Sequence, residues 1–260
     1  MGNWDEICRV LSEFSEEAHR WIGEQPSITE DSITDWLLRF LSKEISFVHY
    51  YRFNRVEEAK NGADWDWWFV DNQSALGLRI QAKRIRENSD HYPGLAHSNR
   101  NGFQIDLLLD SSRKDNLIPF YTFFDGHDRN VTKCQTKKHP QAGLSLSSAQ
   151  MIQNLLFSGG RHRIESSQLL ELSNPLACVA CCPLTDRGPH PIEGIRVQLA
   201  HYFPEAMSGP TSGVHVEPPP YVMSLLQGAR EESGDDWERQ FRDQLPVSNA
   251  VLIFDLREDG

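Results

Sequence analysis

Apolar residues recur at helical spacing from Trp4 to Ile22, at Trp4, Ile7, Cys8, Leu11, Phe14, Ala18, Trp21 and Ile22. Gly23 and Pro26 punctuate the end of that run. A second helix is expected to start near Ser27 or Thr29 and to reach about Lys43, with Ile33, Trp36, Leu37, Phe40 and Leu41 on one face. Glu30 and Asp31 fall in its first turn, where the helix dipole favours negative charge.

The pattern then changes to extended chain. Phe47 to Asn54 is rich in aromatics and reads as a strand, and Ala63 to Val70 is heavy in tryptophan. Leu76 to Lys83 alternates strictly: Leu76, Leu78, Ile80 and Ala82 against Gly77, Arg79, Gln81 and Lys83. Asp71-Asn72-Gln73-Ser74 separates the last two segments and is turn-forming, which predicts an antiparallel hairpin. After a polar loop, Gln104 to Ser112 reads as a helix and Ile118 to Phe124 as a buried strand. Helix, three strands, helix, strand is an α/β layout around a mixed central sheet flanked by helices.

The second half is less patterned. Residues 125–147 read as polar loop, and Ser148 to Phe157 as a helix. Leu176 to Cys182 and Val251 to Asp255 read as buried strands, Pro218 to Gln227 and Trp237 to Gln244 as helices, and Pro210 to Pro220 as an ordered surface loop. The final apolar strand needs a sheet to join, so one domain over residues 1–260 is expected. Its core would span about residues 27–125, with a C-terminal elaboration from about 126 to 260.

Composition narrows the class. In 260 residues, 39% hydrophobic with 10% aromatic describes a globular chain and argues against disorder. No apolar run approaches the roughly 18–20 residues that span a bilayer, so no membrane role is expected. Without a visible signal peptide the default compartment is the cytoplasm. The five cysteines, an odd number, fit a reducing compartment, and Cys178, Cys181 and Cys182 sit among small apolar neighbours that suggest a core strand. Net charge is -11, yet residues 1–35 carry nine carboxylates against two arginines and residues 226–260 nine against four. The middle is left at +1, so the total does not exclude a polyanionic partner. Residues 113–138 carry six basic and three acidic side chains, and these, with Lys83, Arg84, Arg86 and Arg100, are the candidate phosphate contacts.

The densest chemical signal is Asn61-Gly62-Ala63-Asp64-Trp65-Asp66-Trp67-Trp68, followed by Arg79-Ile80-Gln81-Ala82-Lys83-Arg84. A hairpin centred between Asn72 and Gln73 places Asp64 opposite Gln81, with Lys83 next along on the same face. A carboxylate, an amide oxygen and an ammonium then meet at one point. That trio suits phosphodiester hydrolysis with Mg²⁺ or Mn²⁺, because such cations take few protein oxygens and keep several waters. The Ala82 carbonyl could supply a further oxygen, and Lys83 would stabilise charge developing on phosphorus.

Asp64 followed by Gln81-Ala82-Lys83, in this element order, resembles the restriction-endonuclease-like PD-(D/E)XK superfamily in its Q-x-K branch, as in Mrr-type nucleases. The stretch from Glu30 to Phe124 also resembles small bacterial nuclease-like proteins suspected of roles in phage defence. The resemblance implies that Asp64 ends the second core strand, that Gln81 and Lys83 lie on the third, and that an acidic residue of the first core helix completes the metal site. Glu30 matches best there, with Asp31 as substitute. It further implies a nuclease using Asp64, Gln81 and Glu30 around the cation and Lys83 in catalysis, on DNA ahead of RNA, compatible with a homodimer. Gln81 departs from the commoner acidic ligand, which leaves open a catalytically silent module that binds nucleic acid or a partner protein.

Plainer roles stand beside these. Asp64 could cap a turn or pair with Lys60, Asp66 could bridge to Arg79, and Gln81 and Lys83 could form a solvent-facing strand edge. Glu30 could be no more than a helix N-terminal charge, and Gln104 no more than a polar helix face. The tryptophans Trp65, Trp67 and Trp68 are expected to pack rather than stack on bases.

Overall fold

The N-terminal periodicity is realised as two helices, α1 (Asn3–Glu24) and α2 (Glu30–Glu44), in a computed structural model that describes residues 3–53, 62–85, 90–92, 94–126, 143–157, 164–181, 190–228, 245 and 248–257. Thr29 caps α2, its hydroxyl accepting from the Ser32 backbone N–H at 3.2 Å, which starts the helix at Glu30. Next come β1 (Val48–Arg52), β2 (Trp65–Val70), β3 (Ala75–Arg84) and a short hairpin of β4 (Ser98–Asn99) and β5 (Gly102–Phe103). α3 (Gln104–Asp115) and β6 (Ile118–Asp125) follow, then β7 (Gly143–Ser148), α4 (Ala149–Phe157), α5 (Ser166–Leu172), β8 (Asn174–Pro175) and α6 (Cys178–Cys181). The chain closes with α7 (Pro191–Tyr202), α8 (Pro204–Met207), β9 (Val214–His215), α9 (Pro220–Leu226) and β10 (Ala250–Asp255).

The architecture is α/β, a mixed central sheet flanked by helices, with strand order β1-β10-β2-β3-β6-β7-β8. β10 runs parallel to β2 and β6 parallel to β3, while the other pairs are antiparallel. A parallel neighbour requires a crossover, and α3 provides the one from β3 to β6. β9 pairs with Ala75 and Leu76, on the stretch of β3 that β6, starting opposite Leu78, leaves uncovered.

Alternation along the strands sorts the core onto two faces. Trp65, Trp67, Phe69, Leu78, Ile80, Ile118 and Phe120 pack with α1 and α2 through Val10, Phe14, Ile33 and Leu37. On the opposite face Tyr121 and Phe123 pack beneath α3 and α4, and Trp68, Val70 and Val251 beneath α9. Between those two apolar clusters β3 presents Gly77, Arg79, Gln81 and Lys83. A polar stripe therefore crosses a face that is otherwise buried under helices.

Four expectations need correction. The stretch read as polar loop over 125–147 ends in the strand β7: Leu144 and Leu146 join the α1 side of the core, while buried Ser145 and Ser147 face the other way. Serine hides a strand because it lacks hydrophobic signal, yet Ser147 and Ser173 satisfy each other by hydrogen bonding. Gly143 adopts φ 86°, and a Cβ there would overlap the Ser15 backbone, so α1 seats directly on this strand. Second, the strand expected over Leu176 to Cys182 is absent from its described part, Leu176 to Cys181: β8 precedes it and Cys178–Cys181 is a helical turn. A short apolar run buried all round carries no periodicity to separate the two forms.

Third, Cys181 is joined to Cys8 of α1 by a disulfide with Cα atoms 4.7 Å apart, whereas Cys178 is a buried thiol. Fourth, part of the loop before Gln104 forms the β4–β5 hairpin. The helix expected over Trp237 to Gln244, and Cys182, Lys60, Arg86, Lys133, Lys137 and Lys138, lie outside the described residues. Among the described residues no helix is long and apolar enough to cross a membrane.

Candidate active site

The hairpin register is the one expected. Trp65 pairs with Ile80 and Val70 with Ala75, and the turn is closed by Asp71, whose Oδ1 accepts the backbone N–H of Gln73 and Ser74 at 2.9 and 2.8 Å. Asp64 stands one residue before β2, its N–H donating to the Ile80 carbonyl at 2.9 Å and its carbonyl accepting from Asn249 at 3.1 Å. It therefore precedes β2, the second core strand and the first of the hairpin pair, rather than ending it, which corrects the placement implied by the resemblance. β3 runs the opposite way, so its C-terminal end, with Gln81 and Lys83, comes to the same edge of the sheet.

Asp64 Oδ2 accepts from Gln81 Nε2 at 2.6 Å and from the Ala82 backbone N–H at 2.7 Å. Gln81 Nε2 also donates to the Ala82 carbonyl at 3.0 Å, and Gln81 Oε1 accepts from Gln104 Nε2 at 2.9 Å. Gln81 is 1% exposed and Lys83 6%, so neither forms a solvent-facing edge. Lys83 Nζ lies 3.4 Å from Glu30 Oε1, and the other Glu30 oxygen accepts from the Arg84 backbone N–H at 2.8 Å. Glu30 is thus more than a dipole charge: it ties the start of α2 to the end of β3. Asp31 is exposed in the same first turn.

The remaining sequence candidates separate cleanly. Asp66 is held by Arg79 in a two-point ion pair, Nε to Oδ1 and Nη2 to Oδ2 both at 2.9 Å, and Arg79 Nη1 reaches Asp115 at 2.8 Å. Trp65, Trp67 and Trp68 are buried packing residues, and Trp68 donates to the Tyr221 hydroxyl at 2.8 Å. Gly62 adopts φ 69°, and a Cβ there would overlap the Gln104 carbonyl. Only glycine lets the loop bearing Asp64 rest against the first residue of α3.

Tyr121 is the residue that sequence reasoning missed. It sits on β6 in register with Gln81, is fully buried, and its hydroxyl has no hydrogen-bond partner among the described residues. Burial, then the charges of Asp64, Glu30 and Asp106, push its ionisation well above the usual phenol value, so it stays a neutral donor. An apolar reading of Ile118 to Phe124 conceals it; its position on the odd-numbered face with Gln81 was the available signal.

Burial pushes the Asp64 carboxyl up to about 7, with the Lys83 ammonium opposing and Glu30 adding to the rise. Burial also raises Glu30, against Lys83 and the Arg84 N–H, which hold it down. A carboxyl raised in the folded state favours folding fully below its unfolded value, and that contribution disappears as pH rises through the folded value. Metal-free protein should therefore lose stability between about pH 4 and pH 7, by roughly 2 kcal/mol after allowance for solvent access to the residue. Urea unfolding in EDTA across that range checks it, and Asp64→Asn should flatten the slope.

Among the described residues no group of three or more His, Cys, Asp or Glu is arranged to hold a metal. What does converge is one carboxylate, one main-chain carbonyl and one side-chain amide, now bridged by the Gln81 NH₂ group. That set is all hard oxygen once the amide presents its oxygen, which fits Mg²⁺ or Mn²⁺ with most ligands as water and does not fit a zinc site. The orphaned Tyr121 hydroxyl fits a bound water or substrate oxygen beside it.

Neither the curated proteins nor the solved structures contain a match to this chain. One family model does match, over residues 7–260, a range that includes the candidate site and the C-terminal half. The chain belongs to that family, described as a family of unknown function, DUF6615.

Proposed function

We propose that this protein is a restriction-endonuclease-like, divalent-cation-dependent nuclease that hydrolyses phosphodiester bonds, with DNA ahead of RNA as substrate. The observation that carries this reading is the meeting of the Asp64 carboxylate, the Ala82 carbonyl and the Gln81 amide within 2.6–3.0 Å, with Lys83 on the same strand face. Asp64, Gln81, Glu30 and the Ala82 carbonyl would hold Mg²⁺ or Mn²⁺. The cation would polarise the phosphate and lower the pKa of a coordinated water. Lys83, steadied by Glu30, presents an ammonium where negative charge grows on the phosphoryl oxygens. Tyr121 offers a neutral hydroxyl that can orient a water at the floor of the site.

Action in phage defence and a homodimeric state belong to the same proposal and rest on the resemblance, whereas a cytoplasmic location is proposed from the odd number of cysteines. The Cys8–Cys181 disulfide is the feature that a reducing cytoplasm would open. Gln81 in the place of an acid, with Asp64 able to hold a proton near neutrality, favours the second reading of a silent nucleic-acid-binding module.

The test is direct. Purified protein is incubated with supercoiled DNA, linear DNA and RNA in Mg²⁺ or Mn²⁺. Cleavage is expected with either cation, abolished by EDTA and by Asp64→Ala. Salt-sensitive binding without cleavage under every condition would replace the nuclease by the silent module.

A further inference from the structure

Gln81 presents its two ends to two different neighbours. Its NH₂ group donates to Asp64 Oδ2 and to the Ala82 carbonyl, and its Oε1 accepts from Gln104 Nε2. An amide NH₂ carries only donors, so it repels a cation from the two oxygens it bridges. A half turn of the Gln81 amide would bring Oε1 to that point and place three oxygens together. The same half turn aims the Gln81 NH₂ at the Gln104 NH₂, setting two donors against each other in a buried place, which is costly. The conflict disappears if Gln104 turns as well and offers its own Oε1.

We propose that Gln81 and Gln104 are a coupled amide pair that reverses together when a divalent cation enters, making Gln104 a positioning residue for the ligand at 81; this rests on the cation reading given above. Glutamine is the suited residue at 104 because it can donate in one state and accept in the other, whereas Lys can only donate and Glu only accept. The backbone of Gln104 is pinned for this purpose. Its N–H donates to the His97 carbonyl at 2.9 Å, and its carbonyl rests against Gly62. Movement is therefore confined to the side chain. A polar helix face with no further role does not account for a hydrogen bond to a side chain that is itself fully buried.

The test uses the full-length protein labelled with ¹⁵N in glutamine side chains and titrated with Mg²⁺, with Mn²⁺ binding measured by calorimetry. The Gln104 signal is identified by its disappearance in Gln104→Met. Both amide pairs are expected to shift with one midpoint. Gln104→Lys, which holds the Gln81 oxygen away from Asp64, should weaken Mn²⁺ binding about tenfold or more, the worth of a hydrogen bond. Asn101→Lys places the same charge on the neighbouring exposed hairpin without touching Gln81 and should not change the affinity. A Gln81 shift without a Gln104 shift, or equal losses in the two lysine variants, overturns the coupled pair and leaves the cation site standing. No heat with Mn²⁺ and no amide shift overturns both. The wild-type spectra decide even if Gln104→Lys fails to fold.

Discussion

Lys83→Met is expected to lower turnover by about 10²–10³-fold while leaving Mn²⁺ affinity nearly unchanged, because the ammonium acts on charge that exists only in the transition state. The methionine keeps the length and apolar stem of a side chain that is almost wholly buried, so packing is preserved. Glu30 loses its cationic neighbour but keeps the Arg84 N–H, and its carboxyl, already raised by burial, can take up a proton instead of remaining an unpaired buried charge. Asp64→Ala should behave differently, losing cation binding and turnover together. The pair of variants therefore splits binding from chemistry, with the thermal unfolding midpoint as the check on folding. Full activity in Lys83→Met would remove that residue from the mechanism.

Arg79→Ala should be strongly destabilising, at about 3–5 kcal/mol by denaturant unfolding. Asp66 is 0% exposed and Arg79 1%, so removing the guanidinium strands a carboxylate inside the protein and also releases Asp115. An apolar exchange of both partners, Arg79→Met with Asp66→Leu, should recover most of the loss, since the charges no longer need each other. The two substitutions must be strongly non-additive. If the double variant is as unstable as the sum of the singles, the ion pair is not what holds this part of the sheet. The site is linked to this bridge, because Asp66 and Arg79 are register partners two residues from Asp64 and Gln81. Loss of the bridge should therefore loosen cation binding as well as folding.

The parts of this site that could be read from residues are those set by short-range rules. Asp71 and its turn bring β2 and β3 into one register, and period-two alternation then puts Asp64, Gln81 and Lys83 on one face. The pairing of Asp66 with Arg79 and the packing role of the tryptophans follow from the same alternation. Thr29 and the first turn of α2 likewise announce where Glu30 begins.

What stayed hidden depends on partners distant along the chain. The apolar run at 250–254 has no local mark of its neighbours, and the structure inserts its strand between β1 and β2, making the last strand interior to the sheet rather than an addition to its edge. β7 is masked by its serines: Ser147 finds its partner in Ser173, and the Leu144 N–H on the same strand donates to the Ser15 hydroxyl of α1, both more than 20 residues away. Cys8 and Cys181, separated by 173 residues, meet only because α6 packs on α1. The Gln81–Gln104 contact and the unpartnered Tyr121 hydroxyl arise the same way, from β3, α3 and β6 closing on one another. Turn chemistry, capping and side-chain alternation act over a few residues and are legible in order along the chain. Strand order and buried polar partners are chosen by which distant surfaces exclude water together, and no local pattern encodes that choice.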